Sequence, residues 1–135
     1  MEQRHTDIIS FVRESKTYQS GNNIFLELRH LTDEETNDLK NFFGIDFADY
    51  VRSMDDAGVR HAFRRHKNIT ERDFLLINYI TDNYDFVCHI PEEKKVIYSK
   101  KIAESNGTRK FYYVEYIQTG KKRLAMKTLY KTRIL

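Results

Sequence analysis

The sequence predicts one α+β domain, with N-terminal helices packed on a C-terminal antiparallel β-sheet. Apolar residues recur at helical spacing before Pro91 and alternate with a period of two after it. The alternating runs are separated by Ser105-Asn106-Gly107 and Thr119-Gly120-Lys121, short sequences of hairpin type. At 135 residues the chain can bury a core without disulfides or metal, and it shows no repeat, low-complexity tract or domain boundary, so residues 1–135 are read as a single domain.

The elements follow in order. Ile8, Ile9, Phe11 and Val12 give an opening helix, and Tyr18-Gln19-Ser20-Gly21-Asn22-Asn23 a turn or link. Ile24 to Leu28 reads as a strand. Thr32-Asp33-Glu34-Glu35 has capping-box spacing, so a helix runs from there to Phe43 and stops at Gly44. Asp55-Asp56 places negative charge at the start of a further helix, which Lys67-Asn68 ends. Thr70 to Asp73 opens another helix, with Ile69 and Phe74 as a hydrophobic staple and Leu75, Leu76, Tyr79 and Ile80 as its apolar stripe. Val96–Ile102, Phe111–Gln118 and Leu124–Lys131 read as strands. In the last, Leu124, Met126, Thr128 and Tyr130 project to one face, and Ala125, Lys127, Leu129 and Lys131 to the other.

The formal charge is only +3, but it is unevenly placed. Acids concentrate in residues 1–58 and bases in 59–67 and 94–133, a distribution that suits an anionic partner or a solvated lysine-rich sheet edge. Cys88 stands alone, beside apolar residues, and is expected to act as a small buried hydrophobe. No apolar run is long enough to cross a bilayer, so no membrane partner is expected.

Chemistry concentrates in Gly58-Val59-Arg60-His61-Ala62-Phe63-Arg64-Arg65-His66. Histidine exchanges protons near neutral pH, and arginine matches the geometry of phosphate. At about 100° per residue, Val59, Ala62 and Phe63 share a side of that helix, with His66 near it. His61 points away, between Arg64 and Arg65, whose charges disfavour its protonation. His61 is therefore the better proton acceptor, with Arg60 and Arg64 available to bind substrate. A His61–His66 spacing of five does not place two rings on one helical face, and neither a Cys pair nor His-Glu-x-x-His accompanies them, so no metal site is expected. A phosphate-binding Gly-rich loop and a Gly-x-Ser-x-Gly elbow are both missing, and no cofactor is expected. In the strands, Lys100-Lys101 offers a cation, and Thr128 and Tyr130 offer hydroxyls at the rim of the face that carries Leu124 and Met126. Tyr112, Tyr113 and Tyr116 lie among basic residues, where aromatics either stack RNA bases or pair across strands.

The order of these motifs resembles the phage-associated nuclease domains grouped with barnase, EndoU, the colicin E5 and D toxins, and RelE. The series runs from Gly44-Ile45-Asp46-Phe47-Ala48-Asp49-Tyr50 through Val59-Arg60-His61, Arg65-His66 and Ile69-Thr70-Glu71-Arg72-Asp73-Phe74. It continues through Lys100-Lys101-Ile102 and Tyr112-Tyr113-Val114-Glu115 to Leu124-Ala125-Met126-Lys127-Thr128-Leu129-Tyr130-Lys131. It covers residues 44–131 as the nuclease-like core and leaves 1–43 as an N-terminal extension. The resemblance implies a toxin-like endoribonuclease that works without metal. It implies catalytic roles for His61, Lys101 (or Lys100), Thr128 and Tyr130. With His66 as the second proton-transfer group, and Arg60, Arg64, Lys100 and Tyr113 binding substrate, RNA would be cut by its own 2′-hydroxyl to a 2′,3′-cyclic phosphate. By the same resemblance the partners are RNA and an acidic immunity or antitoxin protein. The site of action is the cytoplasm, reached by delivery from another cell or a phage. The alternative expectation is a non-catalytic RNA- or protein-binding module of a phage or mobile element.

Overall fold

The structure, a computed structural model, describes residues 2–3, 7–19 and 21–134; Ser20, in the expected turn, lies outside the described residues. Helix α1 (Ile8–Thr17) starts where the Asp7 carboxylate accepts the Ile9 N–H, and it buries Phe11 and Val12. Strand β2 (Ile24–His30) leads to α2 (Asp33–Phe43). There the Thr32 hydroxyl accepts the Glu35 N–H and the Glu35 carboxylate accepts the Thr32 N–H, closing the capping box. Gly44 then adopts φ 69°, a left-handed conformation that costs glycine nothing, and ends the helix.

Besides a two-residue N-terminal strand, two strands escape the periodicity analysis. One is β3 (Val51–Asp55), which runs directly into α3 (Asp56–Arg65). The other is β4 (Phe86–Ile90), an edge strand. The helix expected from Thr70 starts as a 3-10 turn (Glu71–Leu76) and continues as α4 (Ile77–Asp82). Its buried side is Phe74, Ile77 and Ile80, whereas Leu75 and Tyr79 are exposed, because the tighter 3-10 turn rotates the stripe. Strands β5 (Lys95–Glu104), β6 (Gly107–Gln118) and β7 (Arg123–Arg133) fall where alternation placed them.

With the two-residue β1 (Glu2–Gln3), the strands form one sheet in the order β1-β2-β3-β7-β6-β5-β4. The sheet is mostly antiparallel; β1–β2 and β3–β7 are parallel neighbours. Cross-strand pairing sorts its side chains into two faces. Arg52, Leu124, Glu115, Tyr113, Tyr98 and Phe111 point into the core beneath the helices. Ser99, Tyr112, Val114 and Tyr116 point to the other, open face, as do the exposed Phe86 and Cys88 on β4. Cys88 is thus not a buried hydrophobe: β4 covers the sheet's edge, and its alternate residues face solvent.

The last strand departs most from simple alternation. Val114 pairs with Thr128 and Glu115 with Met126, so Lys127 is an extra residue, a β-bulge. The faces exchange beyond it. Leu129 and Lys131 join Leu124 and Met126 on the core side, and Thr128 and Tyr130 turn to the open face. They therefore do not share a face with Leu124 and Met126, as uninterrupted alternation required.

An ionic knot ties the two halves of the sheet together beneath the helices. Arg52 and Glu115 are both 0% exposed. Arg52 donates through Nε and Nη2 to the two Glu115 oxygens at 2.8 and 2.9 Å, through Nη1 to Glu35 at 3.1 Å, and through Nη2 to the Tyr98 hydroxyl at 3.2 Å. Arg29 grips the same Glu35 at 2.7 Å and also pairs with Asp82. These two guanidiniums outweigh the burial that opposes ionisation, holding the Glu35 carboxyl at about 2. Removing one partner of a buried pair costs about 3–5 kcal/mol, because the other charge is left buried and unpaired. Glu115→Gln should therefore lower the unfolding free energy by about that amount in urea titrations; a loss under about 1 kcal/mol would show that the pair does not hold the sheet together.

Candidate functional site: a cationic cleft between helix α3 and the open sheet face

Helix α3 takes the place beside β7 that β3 vacates after pairing Val51–Ser53 with Arg123–Ala125. Gly58 lets it approach. A Cβ at Gly58 would stand 2.4 Å from the Met126 carbonyl oxygen, so any other residue forces the helix away from the strand. The helix then presents two sides. Val59 and Ala62 are buried in the core. Ala57, His61 and Arg64 line a cleft of about 640 Å³ together with Lys94, Lys95, Tyr116 and Lys127. Glu93 is the single acid in its lining.

His66 reaches the same region by another route. The helix ends before it, and His66 adopts an extended backbone (φ −132°) with its N–H donating to the Ala62 carbonyl. Its ring stacks on Tyr130 with centroids 4.7 Å apart. The Asn68 amide donates to the Lys131 carbonyl at 3.1 Å, fastening the following loop to β7. The two histidines are thus brought to one edge of the open face, although their spacing argued against a shared helical side. The break in the helix, which periodicity does not register, makes the difference.

Their charges interact. Burial lowers the His61 pKa first, followed by the charges of Arg64, Arg65 and Lys127. Burial also lowers that of His66, with His61 next and then Arg65. Beside them the side chains of Lys95 and Lys127 adjoin; that contact depresses Lys127 most, burial next and the Lys95 charge third, while Lys95 itself is paired with Glu93 at 3.0 Å. Two ammonium groups and a guanidinium held around one cleft form a site for an anion. The Thr128 hydroxyl adds a further sign. It is 93% buried on the open face, and its Oγ1 has no hydrogen-bond partner among the described residues. A buried hydroxyl without a partner is costly unless a ligand satisfies it.

Several expected site residues lie elsewhere. Tyr113 is fully buried on the core side, so it cannot bind substrate; its neighbour Tyr112 holds the open-face position. Lys100 points to the core side, paired with Asp85 at 3.2 Å and held over the Tyr79 ring. Arg60 is bound to Asp56 at 2.8 Å and to the Ser15 carbonyl, against α1. Lys101 does lie on the open face, opposite Lys110. It stands six residues along β5 from Lys95, roughly 20 Å from that lysine, and one pleat beyond the row that carries Tyr130. The strand lysines that line the cleft with His61 are instead Lys95 and Lys127, and of these Lys127 acts on its charge. The αL conformation of Lys94 (φ 52°) turns the chain into β5 and delivers Lys95 to the cleft. Among the described residues no three His, Cys, Asp or Glu side chains are grouped as metal ligands.

A family model described as phage-Barnase-EndoU-ColicinE5/D-RelE like nuclease 3 matches residues 29–134, from within β2 to the end of β7. No curated protein and no solved structure matches the chain.

Both imidazoles should titrate below 6.5 in the folded protein, and Arg64→Ala should move His61 upward while leaving His66 nearly in place. Two-dimensional NMR of the imidazole protons checks this, and midpoints at or above 6.5 would contradict it. As pH falls through 6.5 the unfolded chain binds more protons than the folded one, so acidification weakens the fold through these groups.

Proposed function

The chain belongs to the phage-Barnase-EndoU-ColicinE5/D-RelE like nuclease 3 family, and on that premise we propose that it is a metal-independent, toxin-like endoribonuclease. The observation that carries this reading is His61 in the lining of a cationic cleft, with His66 held on the Tyr130 ring at the neighbouring edge of the open face. RNA supplies its own nucleophile, the ribose 2′-hydroxyl, so the protein must only remove one proton, deliver another and oppose the charge between them.

His61 is the base. Burial and three cations hold it neutral, ready to take the 2′-hydroxyl proton. The freed 2′-oxygen attacks the adjacent phosphorus, the bond from phosphorus to the 5′-oxygen breaks, and the leaving oxygen takes a proton from His66. The coupling suits this division, since His66 keeps its proton more readily while His61 is neutral. Lys127, Lys95 and Arg64 oppose the charge that grows on the phosphoryl oxygens. The Thr128 hydroxyl donates to one of those oxygens, which would satisfy its unpartnered Oγ1. Tyr130 holds the His66 ring by stacking and orients the same phosphate with its hydroxyl. Lys101 takes a backbone phosphate farther along the strand.

His61→Ala should slow cleavage of a short single-stranded RNA in EDTA by about 10²–10⁴-fold, the usual worth of a positioned base. A 2′-deoxy sugar at the cut site should block cleavage altogether. Undiminished cleavage by His61→Ala would remove His61 from the mechanism. Cleavage of the deoxy substrate would remove the 2′-hydroxyl.

A further inference from the structure

The open face carries a feature that this chemistry leaves unused. Phe86, on the edge strand β4, is 68% exposed, more than any other large apolar side chain among the described residues. Its position is set by the ladder. Phe86 pairs with Ser99, Ser99 with Tyr112, and Tyr112 with Tyr130, so the four form one row across the sheet. The Tyr112 and Tyr130 rings are stacked, 4.7 Å apart and 14° from parallel, and His66 covers the far side of Tyr130. The other side of Tyr112 looks across Ser99 toward Phe86. Neighbouring strands lie about 4.8 Å apart, so the two rings stand about 9–10 Å apart over a floor of one hydroxymethyl group. Lys110 sits over the gap, with its Nζ 5.8 Å from the Phe86 centroid and 5.3 Å from that of Tyr112, and Ser99 beneath is 6% exposed, so a guest between the rings displaces this ammonium to the rim.

We propose that this gap is a nucleobase subsite, in which one base of single-stranded RNA inserts between Phe86 and Tyr112 above Ser99. Lys110 and Lys101, opposite each other at the rim, hold the backbone phosphates of that nucleotide. The inference rests on the ribonuclease reading and deepens it by naming the substrate class. A planar base sandwiched at van der Waals contact needs about 7–8 Å between flanking rings, which small side-chain rotations supply here. Bases in a duplex are already stacked and paired, so only an unpaired base can enter. The two lysines favour a nucleotide over an apolar protein side chain, because each base carries a phosphate with it. The row ends on His66, so the base is gripped on the same strip of sheet as the cut.

The chain contains no tryptophan, so Phe86→Trp creates a unique fluorophore on one wall of the gap. The probe is a short single-stranded oligonucleotide with 2′-deoxy sugars throughout, which cannot be cleaved by this chemistry. A matching set lacks one base at each position in turn. Binding should quench the tryptophan emission. Phe86→Ala should raise Kd by about 5–150-fold, the usual worth of one stacked base. One abasic member of the set should abolish that penalty. Ser99→Leu, which fills the floor and keeps both rings, should weaken binding similarly.

If Phe86→Ala and Ser99→Leu bind as tightly as the parent, or the Phe86→Ala penalty is the same for every abasic probe, the subsite is overturned. It is overturned equally if Phe86→Ala binds normally but changes the oligomeric state in sedimentation, which would make the ring a self-interface. Because no cleavage is needed, the two proposals fail separately. Phe86-dependent binding by a protein that never cuts RNA keeps the subsite and removes the ribonuclease. Cleavage with Phe86-independent binding does the reverse.

Discussion

A single surplus residue governs the functional half of this molecule. Lys127 has no partner on β6, and the ladder resumes beyond it in the opposite phase. Strict alternation would send the Thr128 and Tyr130 side chains into the core and Leu129 out of it, since a one-residue slip exchanges the faces. The bulge instead keeps Leu129 facing inward beside Leu124 and Met126 and frees two hydroxyls for the open face. Helix α3 rests against the strand at the same place, because Gly58 meets the Met126 carbonyl with no room for a side chain. Helix and bulge therefore fix each other. His61, Lys127 and Thr128 all take their positions from that junction.

Charge is sorted around it. The acids of the chain are largely spent on cations that have structural work. Glu115 and Glu35 hold Arg52, Asp56 holds Arg60, Asp55 holds Arg123, and Asp73 and Glu104 hold Lys131. Arg64, Lys110 and Lys127 form no ion pair among the described residues, and all three stand by or on the open face. A formal charge of +3 thus understates the potential that an approaching phosphate meets. The same sorting accounts for the depressed histidines, which sit where cations have been left without acids.

Much of the fold was legible in the sequence because local rules were obeyed. The Thr32 capping box, the Gly44 stop and the three long C-terminal strands are written in spacing and period. Strands β3 and β4 were not. In β3 the residues Arg52, Ser53 and Asp55 are polar yet buried, held by tertiary ion pairs and hydrogen bonds that no local pattern announces. In β4 an edge position leaves alternate side chains in solvent. Around the candidate cleft, the histidines, Arg64 and the hydroxyls of Thr128 and Tyr130 stand out in the sequence as residue types, but their placement does not. Motif order carries no distance, so it leads to Lys101 and passes over Lys95 and Lys127 in the cleft; strand phase is set by pairing, so the sequence does not show that Tyr113 is buried while Tyr112 holds the open face. A bulge leaves no mark on composition, so the face of Thr128 had to come from coordinates.

In the proposed reaction two imidazoles share the work of an internal transfer at phosphorus, and the chemistry of the new RNA ends decides whether they do. Mass spectrometry of a defined single-stranded RNA cut in EDTA should find a 2′,3′-cyclic phosphate on one fragment and a 5′-hydroxyl on the other. A 5′-phosphate with a free 3′-hydroxyl would mean that water, not the neighbouring ribose, had attacked, and would rule out the two-imidazole transfer.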